Sequence, residues 1–70
     1  EMGDHDRAIA DFSRAIELNS NYASAYYNRS LSRKQLGDLD DARADFRKAM
    51  DLDSSNEAGR QNLMALESSS

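Results

Sequence analysis

The sequence repeats itself at a spacing of 34 residues. Residues 3–20 laid over residues 37–54 give ten identities in eighteen pairs without a gap: Gly3/Gly37, Asp4/Asp38, Asp6/Asp40, Ala8/Ala42, Ala10/Ala44, Asp11/Asp45, Phe12/Phe46, Ala15/Ala49, Leu18/Leu52 and Ser20/Ser54. A period of about 20–50 residues marks a chain built from stacked supersecondary units, each burying its apolar face on the next.

Each copy is helical by its spacing. Leu39, Ala42, Phe46, Ala49 and Met50 recur at helical steps and form one apolar stripe; Ala8, Phe12, Ala15 and Ile16 do the same, with His5 in the place of Leu39. Asp11, Arg14, Asp45 and Lys48 fall on the opposite, charged face. Gly37 suits a left-handed position after a helix, and Asp38 is placed to cap the helix that follows. Gly3 and Asp4 repeat that junction. Residues 19–21 and 53–56 are polar breaks, and Ser54-x-x-Glu57 reads as a capping box. Four helices are predicted, over about residues 4–18, 22–36, 38–52 and 56–67. The breaks between them span only ~2–4 residues, so an all-α stack of antiparallel hairpins follows.

Composition narrows the function. Seventy residues make one small domain, and a chain this short buries only about 60% of its unfolded surface. Nine basic against thirteen acidic residues leave a net charge of −4, which argues against nucleic acid and anionic membranes as partners. There is no cysteine and one histidine, so no disulfide, thiolate nucleophile or multi-histidine zinc site can form. No nucleophile–base pair, phosphate-binding glycine loop or metal-ligand spacing occurs. Asp38-x-Asp40-Asp41 lacks the later glycine and terminal glutamate of a calcium loop. Asn28-Arg29-Ser30 matches a glycosylation acceptor but falls mid-helix. The expectation is a non-catalytic chain without cofactor or metal. Its cysteine-free composition fits a reducing, cytoplasmic compartment.

The stretch Ala25-Tyr26-Tyr27-Asn28-Arg29-Ser30, followed by Leu36-Gly37-Asp38, Ala42, Phe46, Ala49 and Leu52, resembles one complete unit of the tetratricopeptide repeat family, whose period is 34 residues. The resemblance implies a short right-handed α-α superhelix. Residues 1–67 would form a partial array: 4–21 the second helix of a first repeat, 22–55 a complete repeat, and 56–67 the first helix of a third repeat or a cap. Residues 68–70 would be a disordered tail. Packing between repeats would fall to Ala8, Phe12, Ala15, Tyr26, Ser30, Gly37, Ala42, Phe46 and Ala49. The family's usual proline is replaced by Ser20 and Ser54, and its usual tyrosine by Arg33, which makes that contact more polar.

First helices of such repeats line a concave face. By resemblance, Ser24, Tyr27, Asn28, Leu31, Lys34 and Gln35 would face it, followed by Ala58, Gln61, Asn62 and Ala65. Tyr26, about 100° round the helix from Tyr27, would be core, and Tyr27 a groove anchor. In chaperone-binding members an asparagine matching Asn28 helps hold a ligand's terminal carboxylate. The lysine and arginine that complete that clamp are here Ala58 and Asn62, so the clamp is not intact.

Helix 22–36 carries Arg29, Arg33 and Lys34 with no acid, a charge of +3. Helix 4–18 has four acids against two bases and helix 38–52 five against three, −2 each. Two explanations stay open: a face for an acidic peptide, or a basic helix lying between two acidic ones. A protein or peptide partner, acidic in the first case, is the leading expectation. The alternative is self-association into a homo-oligomer through Ile9, Phe12, Ile16, Leu63, Met64 and Leu66, by end docking or a domain swap across the proline-free breaks. Met2, Met50 and Met64 read as filler and core.

Overall fold

Gly37 is where the chain reverses between the two middle helices. Its φ of +84° lies in the left-handed region, where a side chain would be strained and glycine is not. Two backbone bonds close the turn: Gly37 N–H donates to Lys34 O at 3.1 Å and Asp38 N–H to Arg33 O at 2.9 Å. In this computed structural model, which describes the backbone of residues 2–68 and the side chains of 4–68, the described residues form four helices and no strand. They are α1 (Met2–Leu18), α2 (Ala23–Gln35), α3 (Leu39–Leu52) and α4 (Glu57–Ser68).

Several junctions differ in detail from the sequence-based expectation. Gly3 lies inside α1, so the Gly3–Asp4 pair does not make a second turn like that at Gly37. Asp38 precedes α3 without a side-chain capping bond. The capping box at Ser54 is not formed: Asn56 Oδ1 instead accepts the Gly59 N–H at 3.0 Å, while Asp53 Oδ1 holds the N–H and hydroxyl of Ser55 at 3.1 and 2.5 Å. Asn56 lies immediately before the first helical residue, where a short polar side chain reaches the free N–H three residues on. Ser68 belongs to the last turn of α4 rather than to a tail; positions 69 and 70 lie outside the described residues, as does the Met2 side chain.

Consecutive helices pack on one another, α1 on α2, α2 on α3 and α3 on α4. The Cα trace measures 28 × 26 × 15 Å. That short dimension suits two helical layers with axes about 8–10 Å apart. The core sits between α2, α3 and α4. Ala42, Phe46 and Leu66 are buried there, with Tyr27, Leu31 and Leu63 packed against them. Tyr27 meets Phe46 edge to face, ring centroids 5.8 Å apart and planes at 62°, a preferred aromatic geometry. Small residues allow the close approaches: Ala25, Ser30, Ala42, Ala49 and Gly59 are all buried.

Four positions differ from the sequence-based expectation. Leu39 and Met64 are exposed, at 42% and 58%, because the first lies at the α2–α3 turn and the second on the outward side of α4. Asp45, placed by its spacing on a charged solvent face, is only 4% exposed. Leu66, expected to be bare, is buried at 5%, since α4 turns it onto Phe46.

Candidate functional site

The expected concave-face residues lie on α2 and α4. These helices are joined directly: Lys34 Nζ donates to Asn62 Oδ1 at 2.8 Å. Asn62 Nδ2 in turn donates to the Ala58 carbonyl at 2.8 Å, which fixes the amide's orientation so that its oxygen points at Lys34. Asn28 is half-buried, and its side chain makes no hydrogen bond among the described residues. Ser24, Gln35 and Gln61 are exposed, and Leu31 is half-buried against the core. The two helices thus bring Lys34 and Asn62 together, and carry Ser24, Gln35 and Gln61 exposed and Asn28 half-buried on the same pair of elements.

Tyr27 does not stand free beside them. It is the ring that packs on Phe46, whereas Tyr26 lies beneath the Arg29 guanidinium, 5.5 Å from its centroid. Tyr27, expected as a groove anchor, is thus packed against the core, while Tyr26, expected as core, is half-buried. A cation over an aromatic face is attractive.

The basic helix is largely answered from within. Arg29 forks onto Asp45, Nε to Oδ2 at 2.8 Å and Nη2 to Oδ1 at 2.7 Å. Its third nitrogen reaches back to Ser13 Oγ in α1 at 3.0 Å. Arg33 Nη1 donates to Asp45 Oδ2 at 3.0 Å. One carboxylate in α3 thus holds two cations of α2 and, through Arg29, the side of α1. The hydrogen bond to Asp45 raises the Arg29 pKa above its ordinary value, against a partial desolvation that lowers it. Of the three cations of α2, Lys34 alone has no carboxylate partner among the described residues.

This network was missed at the level of sequence because Asp45 fits the polar side of its own helix. The available signal was the pair Arg29 and Arg33, four apart and so on one face, with Arg33 standing where a tyrosine was expected.

Of the self-association candidates, Ile9, Phe12 and Ile16 are half-buried along α1 and Met64 is exposed. Leu63 and Leu66 belong to the core instead. The described residues hold no cluster of potential metal ligands and no helix long and apolar enough to cross a membrane.

Set against known families, residues 1–57 match the family model described as Tetratricopeptide repeat. No curated protein matches the chain.

Proposed function

The chain belongs to the tetratricopeptide repeat family, whose repeats in general mediate protein–protein contact rather than catalysis, and we propose that it is a non-catalytic interaction module. An extended segment of a partner protein lies along α2 and α4, in contact with Ser24, Asn28, Lys34, Gln35, Gln61 and Asn62. The supporting observation is the Lys34–Asn62 bridge, which ties a polar side chain of α2 to one of α4. Asparagine and glutamine carry both donors and acceptors and suit an extended main chain. Since Asp45 occupies Arg29 and Arg33, an acidic partner finds one uncompensated cation here, Lys34. The partner segment is therefore mainly neutral and polar, with a single carboxylate.

Synthetic peptides test this: a neutral extended segment, one with a single carboxylate and one with an acidic run. The single-carboxylate peptide shifts backbone amides along α2 and α4. Asn28→Ala with Gln61→Ala weakens it by at least about tenfold, the scale of one good interface contact, with an unchanged unfolding midpoint. Shifts confined to α1 and α3, or unaltered affinity, would reject the proposal.

A second reading, self-association, is favoured by the exposed Leu18 and Met64, at 84% and 58%, and by the half-buried Ile9, Phe12 and Ile16. Sedimentation at micromolar concentration decides it: an oligomer dispersed by Leu18→Asp supports this reading, and a monomer removes it.

A further inference from the structure

Ser54 and Ser20 occupy equivalent positions in the two repeats, each on the turn that follows an outer helix. Their surroundings differ. Ser54 has Asp51 and Asp53 before it and Glu57 three residues after it, whereas the third residue after Ser20 is Ala23. Every other serine followed by three or more residues has an apolar, basic or amide side chain at that place: Ile16 after Ser13, Tyr27 after Ser24, Arg33 after Ser30, Gln35 after Ser32, Ala58 after Ser55, and Ser68 has none within the described residues. Ser54 is exposed, and its hydroxyl has no hydrogen bond among the described residues. Its neighbour Ser55 is tied by its N–H and hydroxyl to Asp53.

From these observations we propose that Ser54 is a phosphorylation site for an acid-directed serine/threonine protein kinase, one whose basic substrate groove reads the carboxylate three residues beyond the acceptor. The hydroxyl oxygen of Ser54 attacks the γ-phosphorus of MgATP. A P–O bond forms there, the bond from that phosphorus to the β–γ bridging oxygen breaks, ADP leaves, and the hydroxyl proton passes to a base of the kinase. Access does not require opening the core. Residues 53–55 are exposed, and the backbone bond across the turn, Asn56 N–H to Asp53 O, is long at 3.4 Å. Ser13 and Ser30, by contrast, are enclosed in helices with their hydroxyls engaged. The added phosphate carries about −1.5 to −2 charge just ahead of α4, next in sequence to Asp53.

The test uses the whole chain, a purified acid-directed kinase and MgATP, followed by intact mass and site mapping. One phosphoryl group is added, and it maps to Ser54. Ser54→Ala abolishes the addition; Glu57→Gln slows it by about tenfold, the loss of one charge-assisted contact. No incorporation, incorporation mapped to Ser55 or Ser20, or an unchanged rate in Glu57→Gln would overturn the proposal. The Ser54→Ala chain keeps its melting point, because that hydroxyl makes no hydrogen bond among the described residues.

Discussion

Arg29 on α2 and Asp45 on α3 meet through two parallel hydrogen bonds of 2.8 and 2.7 Å, and Asp45 is almost wholly enclosed by the contact. A planar guanidinium matched to a carboxylate is the geometry that best offsets the cost of removing both charges from water. Arg33 on the same acid and Ser13 on Arg29 complete the set, so one network joins three of the four helices.

Asp45→Asn therefore leaves two guanidinium groups without their carboxylate. Both arginines keep some solvent contact, at 16% and 22%, so the loss falls near the low end for a broken buried pair, about 3 kcal/mol. A urea midpoint measures it. The Arg29 pKa is raised by that bond, so the arginine's side of the pair fades only as pH climbs through the elevated value.

Phe46 and Leu66 carry the core. Phe46→Ala removes a ring with no solvent exposure and costs about 3–5 kcal/mol, enough to unfold most molecules of so small a domain. Leu66→Ala costs about 2–4 kcal/mol, and Met64→Ala, on an exposed position of the same helix, less than about 0.5 kcal/mol. Helical circular dichroism against temperature separates the three.

Gly37 and Gly59 respond differently to alanine. At Gly37 the space is open, but φ is +84°, so Gly37→Ala costs about 1–2 kcal/mol through backbone strain alone. At Gly59 the backbone is helical and alanine gains up to about 1 kcal/mol in propensity. There its Cβ meets Met50 Sδ at 3.1 Å and Asn56 Cγ at 3.3 Å. Met50 is flexible and yields, so Gly59→Ala is the milder change by thermal melt.

Two turn carboxylates respond to pH in opposite senses. The Ser55 hydroxyl and N–H hold Asp53 below its usual value; its stabilising effect is present above the ordinary carboxylate range and is lost as pH falls through the lowered value. Partial desolvation and the hydrogen bond shared with Asp41 raise Asp38; its charged form is a penalty at neutral pH that disappears on acidification. At neutral pH Asp53→Asn lowers the urea midpoint and Asp38→Asn raises it. Both differences shrink in acid.

The periodic spacing of apolar residues, the glycine at position 37 and the polar breaks were enough to read four helices and their order from sequence, because those signals act within a few residues of chain. They did not distinguish Asp11 from Asp45, nor Phe12 from Phe46, since each pair occupies the same place in the repeat. In the structure Asp11 is exposed and Asp45 buried, and Phe12 is half-buried while Phe46 has no exposure. The same limit hid the packing of Tyr27 on Phe46 and the cap at Asn56.

What the amino-acid order determined alone is the repeat, the helices and the side of each that is apolar, all consequences of local backbone geometry. Which copy of a repeated residue becomes core was decided only by tertiary packing. Asp45 is buried because Arg29 and Arg33 reach it from another helix, and Phe46 because α2 and α4 close on it from two sides. Burial depends on neighbours brought together from distant parts of the chain, and identical local sequence carries no record of them.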